Sequence, residues 1–327
     1  MKCINKIVSI LLIASCLLPA LACGSPAYDM EYSRQMSSSA YMVTNGSFKE
    51  DTLTAFSSDL CVDSRSQIAM AGVDLQNSYA SGLFDLNNKE IMYAENIYEQ
   101  LPPASLTKIM TALVALKYGN LQDEIVVTEN CKITESGAQL YGFKPGDVIT
   151  LDQALNVLLI YSANDAGLII AEHIGGDVEN FSAMMNQEAK ALGATNTNFC
   201  NPHGLTQENH YTTVYDLYLI FNEVITYERF REIIQLTSYT SVYKDADGNQ
   251  KTIEVRNTNQ YFMGNVEAPE TITILGGKTG TTNAAGNCLI LYVKDSAGNP
   301  YISVILRADL RENLYSDMNR LLEAAGK

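Results

Sequence analysis

The order of hydrophobic periodicities along this chain constrains its fold more than any other feature. Strand-like stretches occupy residues 68–75, 81–85 and 90–93 near one end and residues 288–294 and 301–307 near the other. Between them, residues 106–118, 151–160, 165–174, 178–192 and 213–225 carry apolar side chains at three- and four-residue spacing, and a final helix is predicted over 312–325. Thr150 with Gln153 and Asp177 with Asn180 stand where helices would be capped, and Gly119, Gly175 and Gly193 stand where helices would stop. Strands, then helices, then strands predict an α+β fold: one antiparallel sheet built from both chain ends, flanked by helices, with a helical insertion between its halves.

Composition narrows the function. The 327 residues include 22 basic and 37 acidic side chains, and the resulting charge of −15 gives no attraction for a phosphate backbone, so nucleic-acid binding is not expected. Only three histidines are present, His173, His203 and His210, which disfavours a histidine metal site or a Ser-His-Asp relay. Neither a metal nor a cofactor is expected. His203 reads as a turn residue in Asn201-Pro202-His203-Gly204.

Residues 1–22 read as an export signal: Lys2 and Lys6, an apolar run over 7–18, and Ala20 and Ala22 at the −3 and −1 positions of a cleavage site. Cys23 follows at once, so two readings stand. One is plain cleavage after Ala22; the other is lipoprotein processing that leaves a diacylated Cys23 as a membrane anchor. Residues 23–66, rich in Ser, Asp, Glu, Asn and Thr, read as a flexible tether, and residues 67–327 as a catalytic domain. The protein is therefore expected outside the cytoplasm, secreted or tethered to the outer face of the cytoplasmic membrane. Cys61, Cys131, Cys200 and Cys288 are too widely spaced for a disulfide-built domain and read as buried apolar side chains; Cys131 with Cys200 is the pair to test first for a disulfide.

The chemistry lies at the borders of these blocks. Ser105-Leu106-Thr107-Lys108 opens the first long helix after Pro102-Pro103, and i,i+3 spacing puts hydroxyl and amine on one face. A serine needs an acceptor for its proton, and a lysine serves if desolvation or a nearby cation lowers its pKa. A second copy, Ser241-Val242-Tyr243-Lys244, sits in a strand-like stretch where period-two geometry points Ser241 and Lys244 to opposite faces, so it reads as structural. Ser162-Ala163-Asn164 lies in a break between helices. Lys278-Thr279-Gly280, preceded by Gly276-Gly277 and followed by Thr281, lies near a strand edge where small residues let a substrate backbone come close. A nucleotide-binding P-loop is excluded because Ile272 stands where its first glycine would be.

These three motifs, in this order, form the set of penicillin-binding proteins and class A β-lactamases. From about residue 80 to 322 the chain resembles the low-molecular-mass penicillin-binding D-alanyl-D-alanine carboxypeptidases, also through Asn201-Pro202-His203-Gly204-Leu205 and Met185-Asn186. The resemblance implies the DD-peptidase/β-lactamase-like fold. It also implies that Ser105 attacks the penultimate D-Ala carbonyl of a peptidoglycan stem peptide and that Lys108 takes its proton. Ser162 and Lys278 would relay a proton to the leaving amine, and Asn164 would hold the substrate amide. Thr279 with Lys278 would bind the terminal carboxylate, Gly280 would line the substrate strand, and the N–H groups of Ser105 and Thr281 would receive the oxyanion. β-Lactams would inhibit by acylating Ser105.

Class A β-lactamases deacylate with a Glu-x-x-Leu-Asn loop that has no match between Asn164 and Lys278; the nearest glutamate candidate, Glu188, falls inside a predicted helix. A non-turnover penicillin or peptidoglycan sensor, a transpeptidase and, less favoured for want of that loop glutamate, a β-lactamase-type hydrolase remain alternatives. The resemblance also leads one to expect a second β-rich domain and a C-terminal membrane helix, for which the sequence up to Lys327 has no counterpart, so anchoring is expected at the N-terminal end. Arg311, with Arg307 close by, is a candidate cation for the substrate carboxylate.

Overall fold

The structure, a computed structural model, describes residues 57–325; the export signal, Cys23 and the tether as far as residue 56 lie outside the described residues. The strands are β1 (Ala80–Asp85), β2 (Glu90–Glu95), β3 (Glu124–Val126), β4 (Val148–Thr150), β5 (Ser238–Lys244), β6 (Gln250–Arg256), β7 (Ile272–Thr282), β8 (Gly286–Asp295) and β9 (Pro300–Ala308). The helices are α1 (Thr107–Tyr118), α2 (Leu151–Asn156), α3 (Asn164–Gly175), α4 (Val178–Ala191), α5 (Val214–Val224), α6 (Glu228–Ile234), α7 (Gln260–Met263) and α8 (Arg311–Ala325).

The strands from both chain ends form one antiparallel sheet, as the periodicities predict; its order is β2-β1-β9-β8-β7, and its outer member β7 is a strand the periodicities do not mark. Side-chain alternation splits it between two cores. Ile302, Val304 and Leu306 of β9 with Ile290 of β8 face the larger core beneath the helical insertion. Ile305 of β9 with Leu289, Leu291 and Val293 of β8 meet Leu314, Met318, Leu321 and Leu322 of α8 on the other face. Covered on both sides, the inner strands are apolar at nearly every position, and each buried aliphatic side chain contributes about 1.5–3 kcal/mol.

The helical insertion surrounds α1. Its residues from Thr107 to Ala115 are all buried, and it packs against α3, α4 and α5. A helix enclosed on all sides holds its N-terminal turn rigidly. The predicted caps are present: Thr150 and Gln153 make a capping box, Asp177 accepts from the Asn180 N–H, and Gly193 follows α4 with a φ of 82°.

Several expectations change. Residues 68–75 do not form a strand: Ile68 makes a single bridge to Ala94, and the chain then turns at Ala71-Gly72, where φ of Gly72 is 81°. The helix predicted over 151–160 is α2 followed by a wide π turn, Val157–Tyr161. A second antiparallel sheet, β3-β4-β5-β6, was not foreseen.

Residues 57–66, assigned by sequence to the tether, lie against the domain. Cys61 is fully buried, its N–H donates to the Tyr218 hydroxyl, and the Tyr215 hydroxyl donates to its carbonyl. All four cysteines of the described residues are free thiols. The Cys131 with Cys200 pair is not formed, since Cys131 faces the Phe143 carbonyl and Cys200 that of Glu208.

Candidate active site

Four chain segments converge on a cavity of about 630 Å³. The first is a single 3-10 turn, Ala104–Leu106, that runs directly into α1. It places Ser105 Oγ at the cavity wall, 2.8 Å from the Nζ of fully buried Lys108. The second is the break between the π turn and α3, where Ser162 takes the left-handed conformation (φ 66°, ψ 31°). For a residue other than glycine this costs about 1–3 kcal/mol, offset by the rigid elements on either side. It turns the Ser162 hydroxyl into the cavity and lets α3 begin at Asn164.

The third segment is the outer strand β7. One of its edges pairs with β8, which leaves the other edge available to an extended peptide. Lys278 is fully buried, with Nζ 2.8 Å from Ser162 Oγ and 3.0 Å from the Thr279 carbonyl. Thr279, Gly280 and Thr281 line the cavity. Gly280 lets the strand approach closely: a Cβ there would lie 3.0 Å from Ser105 N and 3.1 Å from Ala104 Cβ, so a larger residue would need the Ala104–Leu106 turn to give by a few tenths of an ångström. The fourth segment, 201–205, brings the His203 carbonyl under Lys108. All eight residues singled out by sequence, Ser105, Lys108, Ser162, Asn164, Lys278, Thr279, Gly280 and Thr281, therefore meet: six line the cavity, and the two lysines sit behind the two serines.

Hydrogen bonding defines what Lys108 can do. Besides Ser105, its Nζ is 2.6 Å from Asn164 Oδ1 and 2.6 Å from the His203 carbonyl, with the Asn164 amide assigned so that its oxygen faces the amine. Both oxygens only accept. A neutral amine with its two N–H groups on them keeps its lone pair for the Ser105 hydroxyl. Burial is the first cause that holds the Lys108 ammonium well below its usual value; the Lys278 charge adds to it, and Asp165 opposes. Burial pulls Lys278 down to about 7.

Sequence reasoning missed several participants. Asp165 accepts from the N–H groups of Tyr141, Gly142 and Phe143, at 3.0, 2.7 and 3.2 Å, and the Asn164 N–H donates to the Gln139 carbonyl at 2.8 Å. These bonds fasten one cavity wall to the start of α3. The end of β6 supplies Arg256, and Thr258 follows, its Oγ1 2.6 Å from Thr279 Oγ1. Arg311 lines the cavity, whereas the Arg307 guanidinium lies 5.5 Å from the Tyr79 ring centre, so Arg311 is the member of that pair placed to meet a ligand. The second Ser-x-x-Lys is structural: half-buried Ser241 accepts from Gln153 Nε2 at 2.8 Å, and Lys244 is exposed. No group of three His, Cys, Asp or Glu side chains among the described residues is arranged to hold a metal ion.

Two buried histidines stand behind the nucleophile. Burial pushes His203 down to about 3 and His210 down to about 4. Both values lie below that of an unfolded histidine, so the unfolded chain takes up these protons first, and stability present above pH 6.5 is lost as the pH falls toward the folded values. Between pH 7 and pH 5 the expected loss is about 2 kcal/mol per histidine. Urea denaturation at pH 7, 6 and 5 measures it; an unfolding free energy that stays flat across this range would contradict the neutral, buried assignment.

The geometry has counterparts among known proteins. A family model described as D-alanyl-D-alanine carboxypeptidase matches residues 72–310. D-alanyl-D-alanine carboxypeptidase DacF of Bacillus subtilis is 33% identical over 253 residues, 74% of this chain and 60% of that protein. DacC of Escherichia coli, also described as a D-alanyl-D-alanine carboxypeptidase, is 29% identical over 278 residues, 82% of this chain and 64% of that protein. The chain thus spans less than two thirds of the length of these relatives. In fold it is similar to the crystal structure of the Streptomyces K15 DD-transpeptidase, with a TM-score of 0.70 at 22% identity over 79% of this chain and 98% of that one.

Proposed function

The chain belongs to the D-alanyl-D-alanine carboxypeptidase family, and on that premise we propose that it removes the terminal D-Ala from peptidoglycan stem peptides through an acyl-enzyme on Ser105. The observation that carries this reading is the pair of serine–lysine couples facing one cavity, Ser105 with Lys108 and Ser162 with Lys278. Two arginines, Arg256 and Arg311, line that cavity, and no carboxylate side chain among the described residues does, which suits a substrate ending in a carboxylate.

In the proposed reaction the stem peptide lies along the free edge of β7, with its amide on Asn164 and its terminal carboxylate on Thr279, Lys278 and the arginines. Neutral Lys108 takes the Ser105 proton as Oγ forms a bond to the penultimate carbonyl carbon. The oxyanion is received by the N–H groups of Ser105 and Thr281, the first of them at the head of α1, where the helix dipole also favours negative charge. The C–N bond breaks as the leaving amine takes a proton through Ser162 and Lys278. The proton held by Lys108 passes to the depleted Ser162–Lys278 couple. Neutral Lys108 then takes a proton from water as the water oxygen bonds to the ester carbon, and gives it to Ser105 Oγ as the C–Oγ bond breaks and the shortened peptide leaves. A β-lactam enters the same path, and the ester it forms leaves slowly, which accounts for the proposed inhibition. The substrate places the work outside the cytoplasmic membrane, with the protein secreted or held there by a lipidated Cys23.

The test is D-Ala release from a pentapeptide stem, run beside a fluorescent-penicillin labelling time course on the same preparation. Turnover blocked by penicillin is expected. Stable labelling without release would instead establish a sensor or an acceptor-dependent transpeptidase, and absence of both would remove the assignment.

A further inference from the structure

A hydrogen-bonded chain behind the nucleophile has no part in the reaction steps above. Ala104, immediately before Ser105, holds a φ of 48°, a left-handed backbone in a residue that is not glycine. Its carbonyl oxygen accepts from Thr107 Oγ1 at 2.8 Å, and that hydroxyl lies 2.8 Å from His210 Nε2. At the far side of the ring, the Cys200 N–H donates to His210 Nδ1 at 3.0 Å. Since Nδ1 accepts, the proton of this neutral imidazole is on Nε2 and is donated to Thr107, whose own single proton is then committed to the Ala104 carbonyl. Every bond in the chain has one possible direction. Thr107 and His210 are both buried.

The Ala104 carbonyl and the Ser105 N–H belong to one planar peptide unit, so fixing the direction of one fixes the direction of the other. The neighbours of that unit admit little movement. A Cβ at Gly204 would lie 1.9 Å from the Ala104 oxygen and 2.9 Å from Thr107 Oγ1, and on the opposite side a Cβ at Gly280 would lie 3.0 Å from Ser105 N. We propose that Thr107 and His210 are positioning residues that aim the Ser105 N–H at the developing oxyanion by orienting the Ala104–Ser105 peptide. This rests on the reading of Ser105 as nucleophile with its own N–H in the oxyanion hole.

An oxyanion donor acts on the transition state and not on the bound ligand, so the effect belongs in the acylation rate constant and not in the dissociation constant. Loss of one such donor costs about 100- to 1,000-fold in rate, and misaiming one is expected to cost less, about 10- to 100-fold. Stopped-flow acylation by fluorescent penicillin separates the two constants. Thr107→Val, which keeps the shape and removes the hydroxyl, is expected to lower the acylation constant by about 10- to 100-fold with unchanged binding, and Thr107→Ser to restore it to within about threefold. His210→Ala, which leaves the hydroxyl but removes its donor, is expected to fall in the same constant, and the double variant to be no slower than Thr107→Val alone. Thermal melts confirm that each variant is folded; if Thr107→Val is not, His210→Ala and Thr107→Ser carry the comparison. Acylation within about threefold of the parent in the folded variants, a loss confined to binding, or fully additive losses would each overturn the proposal. Labelling of Ser105→Ala would instead overturn the nucleophile on which it rests, so the two failures are distinguishable.

Discussion

Ser105→Ala is expected to abolish both fluorescent-penicillin labelling and D-Ala release, a loss of at least about 10⁴-fold, because no other hydroxyl in the cavity has an amine placed to take its proton and an oxyanion site beside it. Ser162, the nearest competitor, has Lys278, but it sits in a left-handed conformation in the break before α3, whereas Ser105 is part of a helical turn that runs directly into α1. The variant should fold. Ser105 is only half-buried, and its removal leaves Lys108 bonded to Asn164 and His203, so the stability change is expected to stay within about 1 kcal/mol. Mass spectrometry after β-lactam treatment, with a thermal melt on the same sample, reads both quantities. A covalent adduct on the variant would show that the nucleophile lies elsewhere.

How much of this site could be read from the sequence depends on how local each relation is. The Ser105–Lys108 couple follows from helical spacing alone, because i,i+3 residues share a face whatever surrounds them. Ser162 and Lys278 lie 116 residues apart, and no periodicity relates them; their pairing came from the resemblance of the motif set. The left-handed backbones at Ala104 and Ser162 are invisible in sequence because neither is glycine, the residue that usually marks such a position. His203 was read as a turn residue, which it is, but its contribution to the site is a backbone carbonyl, and that leaves no trace in residue type.

The inner strands of the main sheet were legible for a physical reason: covered on both faces, β1, β8 and β9 are buried and apolar at most positions, whereas the outer strand β7, with its glycines, lysine and threonines, carries no such signal. The smaller sheet was not. Exposed and half-buried residues alternate along β5, and only Ile253 and Val255 of β6 are buried, so the apolar signal is thin. Arg256 and Thr258 were missed with it. Residues 57–66 show the same limit from the other side: a polar stretch reads as tether, although Cys61 within it is fully buried and fixed by two tyrosine hydroxyls whose partners are backbone groups.

Lys108→Ala is expected to slow acylation by about 1,000-fold, the range of a general base in full contact with its nucleophile. A more demanding test of its neutrality is the pH profile. The acid limb of acylation in the free enzyme reports deprotonation of the base, and the alkaline limb reports loss of a proton that must be present, here that of Lys278 at about 7. Two causes hold Lys108 down: burial, then the positive charge of Lys278. In Lys278→Met the second disappears while the first remains, so the Lys108 value rises and the acid limb must move to higher pH, while the alkaline limb assigned to Lys278 is lost. Acylation also slows in this variant, because Ser162 loses its partner. Rate and profile therefore report different things, and the direction of the limb is the decisive quantity. An acid limb that stays in place or moves to lower pH would mean that the two buried amines are not coupled as their placement requires, and Lys108 would lose its role as the base.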